Sequence, residues 1–131
     1  MSYLCKKQHK SNFAALRGLV IEKIEGLEVD SERVEFHTAC GRLFQMYHEQ
    51  NCCEHVYIAD VVGDVYDLVK SPITMAEESS REATIPEEVY ESGTWTFYKL
   101  ATIKGYVDIR WLGKSNGYYG EGVSFFEVKG E

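Results

Sequence analysis

Residues Thr94 to Val128 read TWTFYKLATIKGYVDIRWLGKSNGYYGEGVSFFEV, and this stretch decides the fold. Thr, Trp, Phe, Tyr, Val and Ile dominate it, the types that fit a pleated, half-buried surface. Lys104-Gly105 can turn the chain once. Asn116-Gly117 is the strongest short hairpin signal, because both residues tolerate the positive φ of a type I′ turn. Between the turns Val107, Ile109 and Trp111 alternate with Tyr106, Asp108 and Arg110, a period of two that separates two faces. In the last segment Val123 and Phe125 oppose Ser124, Phe126 and Val128, so apolar residues fall on both faces. The expectation is a three-strand antiparallel meander at the C-terminus.

Working upstream, the acidic stretch Glu77 to Glu91 holds six glutamates and one arginine. It reads as a solvated excursion between strands, or as an acidic surface for a basic partner. Ile73 to Glu78 alternates as a strand fading into that charge. Asp64 is a plausible N-cap with Val65, Leu68 and Val69 at helical spacing, and Pro72 stops the run. One short helix near residues 64–70 is therefore expected. Val56 to Val62 is a β-branched strand. Val34, Phe36 and Thr38 alternate with Arg33, Glu35 and His37, Cys40-Gly41 turns, and Leu43 to His48 returns with Phe44 and Met46 on one face. Phe13 to Val29 suggests a strand after a brief helical turn. Residues 1–12 carry Lys6, Lys7 and Lys10 without an apolar period and read as a mobile arm, leaving residues 13–131 as a single domain. The class expected is α+β, mainly β, with about seven antiparallel strands.

The totals narrow the function. The chain has 131 residues, 44% hydrophobic and 13% aromatic, enough for a real core. Its net charge of −7 argues against general binding to nucleic-acid phosphates or to an anionic membrane. No apolar run reaches membrane-span length and no signal-peptide core is visible, so a cytoplasmic location is expected. Four cysteines, two of them adjacent, do not form the spaced framework of a secreted disulfide scaffold.

Two constellations carry chemistry. The first is His48, Cys52, Cys53 and His55, all zinc-ligand types within one connector. Structural zinc sites favour cysteines two to four residues apart, which this pair lacks. A thiolate activated by a histidine is the alternative, opposed by Glu49 and Glu54, since nearby negative charge raises a thiol's pKa. A small buried cysteine with hydrogen-bonded histidines is the third reading. Zinc is the cofactor such a site would take; otherwise none is expected. The second is the set Tyr98, Lys99, Tyr106, Arg110, Trp111, Asn116, Tyr118 and Tyr119, aromatic faces interleaved with donors. Such a set could stack a nucleotide-like ligand or meet a protein, or be ordinary strand composition with Trp111 in the core. A phosphate loop, a nucleophile elbow and HExxH are all missing from the sequence.

The blocks YHEQNCCEHVYIADVVGDVYDL and TWTFYKLATIKGYVDIRWLGKSNGYYGEGVSF resemble, in order and spacing, a family of small domains of unknown function. These occur in bacteriophages, prophages and bacterial genomes. The resemblance covers residues 16–128. The family pattern around Tyr47 to Glu54 is similar to YHEQDCCE, with Asn51 here in place of Asp; His48, Gln50, Cys52 and Cys53 fall inside it and His55 outside. The resemblance implies a phage or prophage setting. Together with the missing catalytic motifs it leads to the expectation of a non-enzymatic binding protein in the cytoplasm of a host bacterium. Its partner would be a host protein or a nucleotide-like ligand, engaged to counter host defence. Two alternatives stay open: a thiol or metal site at His48, Cys52 and Cys53 with redox or enzymatic activity, and a structural or assembly protein that forms homo-oligomers.

Overall fold

A computed structural model describes residues 7–86, 90–117 and 119–129. Among them nine strands form two antiparallel sheets. The strands are β1 (Lys7–Lys10), β2 (Ile21–Glu25), β3 (Arg33–Thr38), β4 (Leu43–Tyr47), β5 (His55–Val62), β6 (Met75–Glu82), β7 (Ser92–Thr102), β8 (Gly105–Ser115) and β9 (Ser124–Lys129). One sheet has the order β1-β9-β4-β3-β2 and the other β5-β8-β7-β6.

The inner faces of the two sheets share one core. Val34, Phe36, Phe44, Met46 and Phe125 come from the first sheet; Val56, Ile58, Tyr98, Leu100, Val107, Ile109 and Trp111 come from the second. Phe13 joins them, its ring 4.6 Å from Tyr98 and 5.4 Å from Phe125. It sits on the 3-10 turn Phe13–Leu16, capped by the Asn12 side chain accepting from Ala14 N–H. The alternation read in Arg33 to Thr38 is realised, with Val34, Phe36 and Thr38 buried.

The expected C-terminal meander forms only in part. β7 and β8 pair over their full length through a tight turn at Ile103-Lys104. β9 then leaves that sheet and pairs with β4 and β1 in the other. Gly117 does adopt φ 88°, as the turn signal implied, yet residues 116–123 make a crossing loop instead of a hairpin. The reason lies in the parity left open by the sequence. Phe125 stacks on Phe44 at 5.4 Å inside the core, and Phe126 packs 5.1 Å from Tyr47 on the outer surface. A strand apolar on both faces needs a covered position, and β9 sits between β1 and β4. Arg42 secures it, donating through Nε and Nη2 to the two Glu127 carboxylate oxygens at 2.9 and 3.0 Å.

Other expectations are corrected. The architecture is mostly β, and no α-helix occurs among the described residues. The segment near 64–70 is a single 3-10 turn, Val65–Leu68, capped by Asp64 as anticipated; Lys70 at φ 69° ends it. Lys7–Lys10, placed in the mobile arm by sequence, pairs with β9. The acidic stretch is not all loop, because β6 extends to Glu82 with every residue paired to β7. β6 is an edge strand, and charge there blocks pairing with another chain. Of the residues beyond it, 87–89 lie outside the described ones. No helix among the described residues is long and apolar enough to cross a membrane.

Because Phe125 carries β9 into the core, Phe125→Ala should cost about 3–5 kcal/mol, the usual range for a buried Phe. Urea unfolding followed by far-ultraviolet circular dichroism measures this. A loss below ~1 kcal/mol would mean that β9 does not contribute to the core in this way.

Candidate binding face and thiol loop

The outer face of the four-stranded sheet points away from the core shared by the two sheets. Register places Tyr57, Leu112 and Trp95 in one row across β5, β8 and β7. Asp60, Arg110, Phe97 and Ser79 form the next row, and Val62, Asp108, Lys99 and Glu77 the third. A bulge in β5 makes this possible. Ile58 pairs with Trp111 and Asp60 with Arg110, so Ala59 is extra and parity flips. Such bulges re-aim side chains. Here the bulge turns Asp60 outward, to 3.3 Å from Arg110.

Rings and cations alternate over this face. Arg110 lies over Trp95 at 4.9 Å, Arg81 over Phe97 at 5.3 Å, and Lys114 over Tyr57 at 5.4 Å and Tyr90 at 5.7 Å. Trp95, Phe97, Tyr57 and Leu112 are half-buried, while Tyr106 and Val62 are 57% and 50% exposed. A hollow of about 480 Å³ opens among them, lined by Asp60, Glu77, Phe97, Lys99, Asp108 and Arg110. In it Asp108 Oδ1 is buried without a hydrogen-bond partner, and Lys99 Nζ stands 3.9 Å from it. An unsatisfied buried acceptor is costly and suits a ligand that brings a donor.

The second constellation of the sequence is therefore divided. Lys99, Tyr106 and Arg110 belong to the outer face. Tyr98 does not: it pairs opposite Ile109 on the inner face and is 1% exposed, so it is a core residue. Burial pushes its phenol well above the usual range, and its hydroxyl reaches Glu78 at 3.4 Å. Trp111 is likewise in the core. Asn116 and Tyr119 lie on the crossing loop, and Tyr118 is outside the described residues. Sequence reading passed over Trp95, Phe97 and Tyr57 as contact residues. Their common parity with Lys99 and Arg110 was the available signal for the first two.

The YHEQNCCE block forms a loop around one buried carboxylate. Glu54 accepts from Asn51 N–H at 3.0 Å and Cys52 N–H at 2.8 Å, and meets His48 Nε2 at 2.9 Å. Gln50 Nε2 donates to the Glu54 carbonyl at 2.6 Å and the Cys52 carbonyl at 3.1 Å. His48 Nδ1 donates to the Gly122 carbonyl at 2.6 Å, tying this loop to the crossing loop. The crossing loop has its own anchor, since the buried Glu121 accepts from Thr94 at 2.8 Å and from the Ser115 hydroxyl. Gly113 is required beneath it, because a Cβ there would lie 2.2 Å from the Glu121 carbonyl oxygen.

Of the ligand set His48, Cys52 and Cys53, the sulfurs lie together, while His48 is engaged by the Gly122 carbonyl and the Glu54 carboxylate. The only trio of ligand-type groups within 4.8 Å of one another, among the described residues, is Glu25, Glu35 and His37 on the outer surface of the five-stranded sheet. That trio is an ion-pair cluster, with His37 Nε2 2.9 Å from Glu25. Cys52 and Cys53 are both exposed, not small buried hydrophobes. His55 stacks 4.4 Å from Tyr57. Glu54, read from sequence only as a charge acting on the thiols, is the organising residue of the loop.

Residues 17–125 match the model of the family described as Domain of unknown function (DUF7448), and the chain belongs to that family. No curated protein and no solved structure matches it significantly.

His48 and the loop amides hold the Glu54 carboxyl down, to about 2 from an ordinary 4.5. Its folded value lies below its unfolded one, so its stabilisation is complete above pH 4.5 and is lost as pH falls toward 2. Glu49 and Glu127, lowered by Lys10 and Arg42, act in the same direction. Urea midpoints measured across this window should fall steeply in the native protein. Glu54→Gln should be less stable at neutral pH and show a shallower acid slope, with faster exchange of the Asn51 and Cys52 amides. Equal slopes in the two proteins would contradict the assignment.

Proposed function

We propose that this protein is a non-enzymatic binding protein that holds a partner on the outer face of its four-stranded sheet. The observation that carries the reading is the ladder of ring–cation contacts, Trp95 with Arg110, Phe97 with Arg81, and Tyr57 and Tyr90 with Lys114. Trp, Tyr and Arg are the residues that dominate binding energy at protein interfaces. Ring contacts and ion pairs hold these side chains before a partner arrives, which lowers the ordering cost of association. The carboxylates of the hollow, Asp60 and Asp108, are neutralised by Arg110 and Lys99, an arrangement suited to recognition more than to proton transfer.

The favoured partner is a protein. The resemblance to phage and prophage domains supports a partner among the cytoplasmic proteins of a host bacterium, with a defence component as the proposed target. A second reading, a nucleotide-like ligand sequestered in the hollow, is favoured by its volume of about 480 Å³ and by the aromatic wall at Phe97. Pockets for small ligands span ~300–1,000 Å³.

Native mass spectrometry of the protein purified from bacterial cells tests the proposal. A co-purifying protein or small molecule should be retained by the native chain. It should be lost from Phe97→Ala and Arg110→Ala, each by about 2 kcal/mol or roughly 30-fold, the scale of an interface hot spot. Both variants should keep the native unfolding midpoint to within about 1 kcal/mol, since the side chains face solvent. Retention of the partner by both folded variants would contradict the reading.

A further inference from the structure

The side chains of Cys52 and Cys53 are exposed on the loop between β4 and β5, and Cys53 lines a hollow with His55 and Tyr90 at the edge of the face described above. Thiols on adjacent residues tend to diverge, because an extended chain sends successive side chains to opposite sides. Here they converge, with Sγ atoms 2.8 Å apart. The convergence is built in from both sides. The Cys52 N–H and carbonyl are held by the Glu54 carboxylate and Gln50 Nε2, at 2.8 and 3.1 Å. Tyr119, on the crossing loop, is close by, and Cys52 pushes its phenol above the ordinary value.

We propose that Cys52 and Cys53 are a reversible dithiol–disulfide modification site, oxidised by exchange with a low-molecular-weight disulfide. In the first step Cys52 gives up its proton to solvent and its thiolate attacks one sulfur of the disulfide. A mixed disulfide forms and one small thiolate leaves. Cys53 then gives up its proton to solvent, and its thiolate attacks the Cys52 sulfur. The S–S bond of the eight-membered ring forms as the second small thiolate leaves. The protein dithiol loses two electrons and the small disulfide gains them.

The hydrogen bond with Cys52, burial, and charge at Cys52 and Glu54 push the Cys53 thiol up. A ring closed across one peptide bond is strained, and strained exposed disulfides are the labile, regulatory ones. Ring closure twists the peptide next to the Glu54 cradle, which holds His48 against Gly122. Oxidation would therefore loosen the contact between the two loops.

The test uses the full chain with Cys5→Ser and Cys40→Ser, incubated with oxidised glutathione, then alkylated and weighed. The expected product is a monomer lighter by two hydrogens, unalkylated at Cys52 and Cys53, and restored by dithiothreitol. Peptide mapping of the unsubstituted chain gives the same readout should the double variant fold poorly. Glu54→Gln, which frees the loop, should lose ring closure and accumulate the glutathione adduct. A stable adduct in the native loop, a disulfide-linked dimer, or two thiols still open to alkylation would each overturn the proposal. These outcomes are independent of whether a partner binds the sheet face.

Discussion

The fold depends on the passage of β9 from the β7–β8 hairpin to the opposite sheet. Phe125 drives it: its ring stacks on Phe44 and meets Phe13 edge-on, in the layer that joins the two inner faces. The Arg42–Glu127 fork then holds β9 against the start of β4. A ring buried on both sides is worth several kcal/mol, and aromatic pairs add about 0.5–1.5 kcal/mol beyond area burial. Beside β8 no edge is open, because β5 and β7 pair with it on either side.

On the outer face of the four-stranded sheet, rings and cations stabilise one another. Each cation–π contact at an exposed position contributes about 0.5–1 kcal/mol, which favours a defined arrangement without desolvating the charges. The crossing loop, meanwhile, is fastened by two carboxylates with almost no solvent exposure: Glu54 holds His48, which reaches Gly122 from the β4–β5 connector, and Glu121 accepts from Thr94 of β7 and Ser115 of β8. The thiol loop and the ring-bearing face meet at the His55 end of β5, where Cys53, His55 and Tyr90 line one hollow.

The sequence made much of this legible. Strict alternation in Arg33 to Thr38 and in Tyr106 to Trp111 marked the faces correctly, because one side of each strand is buried and the other is not. Tyr106 and Arg110 share the outward face with Asp108, as that alternation implied. Phe125-Phe126 was ambiguous, since adjacent rings give no parity, and the destination of β9 hung on that pair. Tyr98 was misplaced because a tyrosine reads as amphipathic, and only its register against Ile109 sends it inward. The bulge at Ala59 was invisible, as no glycine or proline marks it. The YHEQNCCE block drew attention to its sulfurs, while its organising group was the acid that closes it. A buried carboxylate satisfied by backbone N–H groups has no signature in residue type; it is recognised only when the loop is seen folded around it.

The most direct measurement of the central claim is amide chemical-shift mapping of the isotope-labelled protein with the partner recovered from bacterial cells. The account predicts that the shifted or broadened resonances concentrate on the outward residues of β5 to β8, among them Tyr57, Trp95, Phe97, Lys99 and Arg110. Perturbations confined to the outer surface of the five-stranded sheet, around Lys23, Glu35 and Gln45, would contradict it.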